Sequence, residues 1–123
     1  MLATVGRLGV VYVAMHSRGT FAEMHTLTDY AGGDVVGAVL RELGQTVERA
    51  RQSGVTSVIA DPGFGFSKTT AQNYTLLRRL PEVVAAFDVP LLVGLSRKSL
   101  ASGVAHCEAA DALPATVALN TVA

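Results

Sequence analysis

The residues best able to do chemistry are concentrated in one short segment, ADPGFGFSKT at residues 60–69. A phosphate-binding loop of the Walker A type needs a glycine directly before its lysine, but here Ser67 precedes Lys68. The dinucleotide-binding fingerprint needs a third glycine at the position that Lys68 occupies. Because both spacings fail, the segment is not predicted to bind a nucleotide phosphate.

The same segment suits a flat organic ligand. Phe64 and Phe66 offer rings for stacking, and the carboxylate of Asp61 can accept hydrogen bonds from an N–H edge. Asp61 follows an apolar run, so it would project from the end of a rigid strand. An Asp-Pro pair also commonly starts a turn, and the residues leave both roles open for Asp61.

Two further polar clusters lie elsewhere in the chain, HSRG at residues 16–19 and SRKS at residues 96–99. The cations and hydroxyls of SRKS could bind a pyrophosphate or a carboxylate at the start of a helix, although a solvated basic turn has the same composition. His16 has no second histidine or carboxylate at the spacing of metal ligands, so a metal site is not predicted there.

Each polar cluster directly follows or lies at the end of an apolar run. The runs are GVVYVAM at residues 9–15, TSVIA at 56–60 and PLLVGL at 90–95. None alternates polar and apolar residues, which is typical of strands that are buried on both faces of a parallel sheet. The carboxyl ends of such strands share one edge of the sheet, so the three clusters are predicted to form one site.

Helical patterns separate and follow the apolar runs, which predicts a series of βα units and an α/β fold. Caps and apolar spacing place helices from Asp34 to a stop at Gly54, from Thr69 to a break at Pro81 with a continuation through Val84, and from about Asp111 onward.

Composition limits the classes of function. The chain has 123 residues, with ten basic and ten acidic side chains, so it is predicted to be one domain with no electrostatic preference for nucleic acid or an anionic membrane. The apolar runs are far shorter than a membrane span, and no signal peptide is expected. A single cysteine, Cys107, fits a reducing compartment and therefore a cytoplasmic protein.

Taken together, MHSRG, DPGFGFSKT with the following Asn73, and LLVGLSRKS resemble, in order and spacing, three signature segments of the dihydropteroate synthase family. The resemblance covers essentially the whole chain. It implies a TIM (β/α)8 barrel that condenses p-aminobenzoate with 6-hydroxymethyl-7,8-dihydropterin diphosphate and releases diphosphate in folate synthesis. Sulfonamides compete for the aminobenzoate site in this family.

The resemblance also implies the roles of particular residues. The pterin would contact Asp61, Lys98, Gly65, Gly94 and Met15. The p-aminobenzoate would contact Phe66, Lys98 and Ser99. Arg97 is part of the family pattern, but its role in binding or in structure is left open.

A barrel of eight βα units is roughly twice as long as this chain or more. The resemblance therefore implies a partial pterin-binding barrel domain over residues 1–123, comprising three consecutive βα units that correspond to strands 5–7. It further implies Mg²⁺ bound by ligands outside this segment, a homodimer for the complete enzyme, and no synthase activity for the 123-residue chain by itself.

Two other functions remain open from the sequence. A pterin-binding methyltransferase domain would share the barrel and the pterin pocket, although SRKS together with MHSRG suits the synthase better. A non-catalytic paralogue could keep the pocket and lack the reaction.

Overall fold

The computed structural model describes residues 1–123, except for the side chain of Val104. In chain order the elements are α1 (Leu2–Leu8), β1 (Tyr12–Met15), α2 (Val35–Gln52), β2 (Val58–Asp61), α3 (Thr70–Arg78), α4 (Leu80–Ala86), α5 (Ser99–Ala105) and α6 (Leu113–Val122). Short 3₁₀ turns at Ala31–Gly33 and Ala109–Asp111 precede α2 and α6. The α/β class predicted from the sequence is confirmed.

The sheet is built from β1 and β2, which pair in parallel with Ala14 opposite Ala60 and Met15 opposite Asp61. The prediction of a third strand over residues 90–95 is wrong. Of this segment only Leu91 is paired, with Ala60, in an isolated parallel bridge. To extend this pairing, Pro62 would have to donate the next hydrogen bond, but proline has no N–H. The chain also turns directly after Pro62. The ladder therefore stops after one bridge.

The prediction that all strands are buried on both faces is also wrong for β1. Ala14 and Ala60 are fully buried on the face that packs against α2. On the opposite face Val13 remains 43% exposed and Met15 39% exposed. Since side chains alternate along a strand, this open face also carries Asp61, the partner of Met15.

The first helix was not predicted from the sequence, which assigned a strand from residue 9. No side chain caps α1, and Gly9 ends it in the left-handed conformation with φ 64°. Leu2 and Val5 pack against the core, and a Cβ on Gly6 would lie 2.6 Å from the carbonyl oxygen of Ser53. Tertiary packing, rather than a local capping signal, therefore fixes α1.

Two helices, α2 and α3, begin where the sequence signals place them, whereas the break predicted at Pro81 lies two residues earlier, at Arg79. The Asp34 carboxylate accepts a hydrogen bond from the Gly37 amide at 3.0 Å, which caps α2. Thr69 and Gln72 form a reciprocal capping box at α3. Arg79 separates α3 from α4, and Pro81 occupies the first turn of α4, as its missing N–H allows. None of the helices in the described residues has the length and apolar character needed to cross a bilayer.

Candidate functional site

Three loops meet at the carboxyl ends of the strands, as the sequence predicts. We call residues 61–68, which follow β2, the Asp61 loop, and residues 96–99, which precede α5, the Lys98 loop. Residues 16–19 follow β1. The side chain of Lys98 crosses from its own loop to the Asp61 loop, where its Nζ donates a hydrogen bond to the Phe64 carbonyl at 2.6 Å. That hydrogen bond brings two of the three predicted clusters together.

Asp61 ends β2 and is half-buried. Its Oδ1 accepts a hydrogen bond from the Gly63 amide at 2.8 Å, so Asp61 does initiate the turn that an Asp-Pro pair favours. A carboxylate has several acceptor positions, and this bond occupies one of them. The turn role and a ligand-binding role are therefore compatible in the same side chain.

The Lys98 ammonium lies between polar and aromatic partners. Its Nζ is 4.8 Å from the centroid of the Phe66 ring, a cation–π distance. Burial lowers the pKa of Lys98, and the negative charge of Asp61 opposes this shift. A cation, a carboxylate and an aromatic ring thus share one part of the site, which suits a flat ligand with a polar edge.

Gly65 and Gly94 both lie close to the Lys98 side chain. A Cβ on Gly65, whose φ is 80°, would come within 3.1 Å of Lys98 Cδ, and a Cβ on Gly94 would come within 3.6 Å of its Nζ. The 3.1 Å contact and the positive φ favour glycine at position 65, whereas 3.6 Å at Gly94 is an ordinary van der Waals distance. The Lys98 stem is therefore a structural reason for Gly65 that the sequence did not indicate, but it is not a reason for Gly94.

The two phenylalanines of the Asp61 loop have different environments. Phe64 is fully buried in the hydrophobic core and cannot stack on a ligand, so the expectation that both rings are available is wrong. Phe66 is half-buried and contacts Lys98. Of the two, only Phe66 can form part of a binding surface.

The remaining predicted residues lie around this centre. Met15 ends β1 beside Asp61 and is partly exposed. Ser99 is the exposed first residue of α5. Arg97 is exposed and adopts a positive φ of 52°, and its amide donates to Thr116 Oγ1 at 3.1 Å.

A buried polar cluster beneath the Asp61 loop was not assigned from the sequence. Lys68 is only 8% exposed, and its Nζ lies 2.9 Å from the Gly63 carbonyl oxygen, 3.0 Å from the Phe66 carbonyl oxygen and 3.0 Å from Nδ1 of His16. Burial lowers the pKa of Lys68 to about 7, with Asp61 and Glu42 opposing the shift. Sequence alone could not reveal this role, since a lysine after a glycine-rich loop is usually solvated.

His16 continues the cluster toward α2. Its Nε2 lies 3.1 Å from Oε2 of Glu42, which also forms an ion pair with Arg18. Burial, and then the positive charge of Lys68, lowers the pKa of His16 to about 4, although the hydrogen bond to Glu42 opposes this. His16 is therefore neutral at pH 7, with one nitrogen accepting from Lys68 and the other donating to Glu42.

Comparison with known proteins decides the family. The sequence model of the pterin binding enzyme family matches residues 1–123, which is the whole chain. The chain belongs to the pterin-binding enzyme family.

Curated relatives in the pterin-binding family include dihydropteroate synthases. The synthase of Synechocystis sp. is 45% identical over 101 residues, which cover 80% of this chain and 34% of that protein. The synthase of Escherichia coli is 33% identical over 124 residues, which cover 99% of this chain and 43% of that protein. The chain therefore spans well under half the length of these relatives.

Solved structures of pterin-binding enzymes share the fold. The dihydropteroate synthase of Thermus thermophilus in complex with 4-aminobenzoate superposes with a TM-score of 0.92 and 38% identity, covering 98% of this chain and 49% of that one. The Yersinia pestis synthase in complex with a sulfonamide drug gives a TM-score of 0.91 and 30% identity, covering 98% of this chain and 44% of that one. The matched proteins are TIM-barrel enzymes.

The magnesium ion expected for this family has no donor set here. Among the residues that the structure describes, no group of three or more histidine, cysteine, aspartate or glutamate side chains could hold a metal ion. The carboxylate of Asp61 is near Lys98 and Lys68 rather than near other carboxylates. These residues therefore do not fit a magnesium site, and no chemical step is assigned to the ion in this chain.

Proposed function

We propose that this chain forms one wall of the active site of a dihydropteroate synthase. The reaction would join p-aminobenzoate to 6-hydroxymethyl-7,8-dihydropterin diphosphate in folate synthesis. The observation that carries the proposal is the Lys98 ammonium, held between the Phe64 carbonyl and the Phe66 ring beside Asp61. The similarity to synthases over nearly the whole chain favours this reaction over a methyltransferase domain or a non-catalytic paralogue.

The pterin would lie against the open face of the sheet. Asp61 would accept hydrogen bonds from the N–H edge of the ring, and Lys98 would donate to its polar acceptors. Met15, next to Asp61 in the strand register, would contact the apolar part of the ring. Gly65 and Gly94, which carry no side chain, would let the backbone approach the flat ring, and Gly65 would also leave room for the Lys98 stem.

The p-aminobenzoate would bind at the outer border of the same pocket. Phe66 would contact its ring, and Ser99, exposed at the start of α5, would contact its carboxylate. Lys98 lies between these two residues along the site and would contact both substrates. Arg97 is also exposed, and its side chain could contact the same carboxylate or serve only to shape the loop.

The chemistry requires positioning and charge stabilisation rather than a covalent enzyme intermediate. The aromatic amine nitrogen would attack the methylene carbon of the pterin, the bond from that carbon to the diphosphate oxygen would break, and the amine would lose a proton. Lys98, whose pKa is lowered by burial and raised by the charge of Asp61, would place positive charge near the departing anionic oxygen. Asp61 would hold the ring so that the methylene group faces the amine.

The complete enzyme would contain more than this chain. We infer that the three βα units correspond to strands 5–7 of the barrel, and that residues 1–123 are a partial pterin-binding domain. The parent enzyme would be a cytoplasmic homodimer that binds Mg²⁺ through residues outside this segment. The exposed Val13 supports a partial barrel, because the remaining barrel strands would cover that part of the open face, while Met15 at its edge would face the pterin.

The test uses the full-length product of the reading frame that encodes this sequence. Isothermal calorimetry with 6-hydroxymethyl-7,8-dihydropterin diphosphate should detect binding, and dihydropteroate should form when p-aminobenzoate is added. The purified 123-residue chain should form none. Binding without turnover in the full-length product would identify a non-catalytic paralogue, and absence of pterin binding would refute the proposed function.

A further inference from the structure

Lys68 is the most deeply buried cation of the site, yet the proposed function gives it no task. All three of its neighbours within hydrogen-bonding distance are acceptors: the carbonyl oxygens of Gly63 and Phe66 and Nδ1 of His16. An ammonium group has three N–H donors, so these acceptors use its full capacity. In its protonated form Lys68 is therefore saturated inside the protein and has no donor left for a substrate.

We propose that Lys68 is a positioning residue, which holds the Asp61 loop in the shape that presents Asp61 and Phe66 to the substrates, and that His16 provides the acceptor that orients it. The identity of the ligand rests on the proposed function, whereas the role of Lys68 in shaping the loop does not.

The geometry of the loop shows how Lys68 acts on Asp61. Gly63 is held from two sides, by the Asp61 carboxylate on its N–H at 2.8 Å and by Lys68 on its carbonyl oxygen at 2.9 Å. A Cβ on Gly63, whose φ is 70°, would overlap the carbonyl of His16, so the backbone here is packed closely against the neighbouring loop. A shift of Gly63 would therefore move the Asp61 carboxylate with it.

Lys68 acts on Phe66 in a similar way. The Phe66 amide donates to the Gly63 carbonyl at 3.1 Å, closing a tight turn, and Lys68 binds the carbonyl at each end of that turn. The Phe66 ring stands beside Lys98 at the proposed boundary between the two substrates. Loss of the Lys68 ammonium would leave the Phe66 carbonyl without this donor and the Gly63 carbonyl with the Phe66 amide alone, which would loosen this ring.

His16 connects the loop to the rest of the fold. It directly follows β1, and its second nitrogen bonds to Glu42 of α2, which is itself held by Arg18. If Lys68 is the donor, Nδ1 must be unprotonated and Nε2 must carry the proton. The carboxylate of Glu42 also requires the proton on Nε2, so an unprotonated Nδ1 is necessary for the bond from Lys68, and a protonated Nδ1 would exclude that bond.

Two substitutions of His16 separate the bond to Lys68 from the bond to Glu42. The side-chain oxygen of asparagine can occupy the place of Nδ1 and accept from Lys68, so His16→Asn keeps this bond and loses the one to Glu42. The amide nitrogen of glutamine can occupy the place of Nε2, so His16→Gln keeps the bond to Glu42 and loses the one to Lys68. Both variants replace the buried imidazole with a carboxamide, so each is a control for the other.

The experiment measures affinity for 6-hydroxymethyl-7,8-dihydropterin diphosphate by calorimetry in the full-length product. We expect Lys68→Met and His16→Gln each to weaken binding about tenfold and His16→Asn to weaken it only about threefold or less. Equal losses for the two His16 variants, or binding by Lys68→Met within twofold of the unsubstituted protein, would overturn the proposal. The His16 pair decides the matter even if Lys68→Met does not fold.

A second measurement distinguishes failure of this proposal from failure of the proposed function. Nitrogen NMR of His16 should show an unprotonated Nδ1, and hydrogen exchange at the Phe66 amide should accelerate about tenfold or more in His16→Gln but not in His16→Asn. If no protein of the series binds the pterin but this exchange pattern holds, the proposed function fails and the positioning role stands. A protonated Nδ1, or equal exchange in both variants, would refute the positioning role whether or not the pterin binds.

Discussion

The Asp61 loop and the Lys98 loop contribute to the same proposed site, but different interactions hold them. The Asp61 loop is anchored by buried side chains from three directions: Lys68 within the loop, Asn73 of α3 and Tyr30 before α2. The Lys98 loop is mostly exposed and is anchored by one backbone hydrogen bond to Thr116 and by the reach of Lys98 itself.

One residue in each loop illustrates this difference. Ser67 has a φ of 51° and Arg97 has a φ of 52°, a conformation that costs about 1 kcal/mol for a residue other than glycine. Ser67 is 1% exposed, and its hydroxyl bonds to both the amide and the carbonyl of Arg18. The Arg97 amide donates one hydrogen bond to the Thr116 hydroxyl, and the Arg97 side chain is exposed to solvent. The comparison suggests a rigid wall for the pterin and an adaptable wall for the second substrate.

The largest predicted effect comes from the ligand-binding side chain of each loop. In the full-length product, Asp61→Asn and Lys98→Ala should each weaken pterin binding or turnover by about a hundredfold, because each removes a charged hydrogen-bonding group. Calorimetry and steady-state kinetics would measure this. Asp111→Asn and Arg78→Ala, both at exposed positions, serve as matched controls. Near-normal kinetics in both site variants would defeat the assignment of the site.

The second prediction concerns the stability of the fold at acidic pH and tests whether the Asp61 loop needs His16 in its neutral form. The pKa of His16 falls from 6.5 in the unfolded chain to about 4 in the folded chain, where it faces Lys68, Arg18 and Glu42. The folded state therefore disfavours protonation, so the stabilising contribution is complete above pH 6.5 and is lost as the pH falls from 6.5 to about 4. Up to about 3 kcal/mol of the free energy of unfolding should disappear over this window.

Urea denaturation of the chain at about pH 7 and about pH 4.5 would measure that loss, with His16→Asn as the control that lacks the titrating group. The difference between the two pH values should be smaller in His16→Asn than in the unsubstituted chain. An identical pH dependence in both proteins would show that His16 does not couple the loop to acid.

The third prediction compares the anchors of the two loops. Asn73 is fully buried, and its Oδ1 accepts from the Gly65 amide at 2.8 Å, so Asn73→Ala should lower the free energy of unfolding by about 2–3 kcal/mol. Thr116→Val removes the hydrogen bond that Thr116 accepts from the Lys98 loop and should cost about 1 kcal/mol. Urea denaturation measures both, and Asn120→Ala at an exposed position is the control for the loss of an amide. A larger cost at Thr116 would reverse the comparison.

The smallest predicted effects come from glycine at the two positive-φ residues. Arg97→Gly should stabilise the chain by about 0.5–1 kcal/mol, since glycine adopts this conformation without strain and the Arg97 side chain is exposed. Ser67→Gly gains the same relief but loses the hydrogen bonds to Arg18, so it should destabilise the chain by about 1 kcal/mol. Thermal denaturation would resolve the opposite signs, and the same sign in both would contradict the contrast between the loops.

Much of the site could be predicted because its residues follow local rules. Asp61 stands at the end of an apolar run, and the capping residues Asp34 and Thr69 have side chains that serve amides three positions ahead. The SRKS cluster that contains Lys98 was identified from its cations and hydroxyls, whereas the contact of Lys98 with both substrates was implied by the family resemblance and stays a prediction. By contrast, the sequence could not tell that Phe64 is buried and Phe66 only half-buried. Both residues occupy the same loop and differ only in which side of it they face.

The sequence by itself determined the α/β class, the order of the main elements and the three polar clusters, because strand and helix periodicities and caps depend on neighbours a few residues away. Only the tertiary structure decided the shortening of the third strand to the Leu91 bridge, the formation of α1, and the burial of Lys68 against His16, 52 residues earlier in the chain. These features depend on contacts between distant segments, where one missing N–H or one buried acceptor outweighs the local preference of the residue.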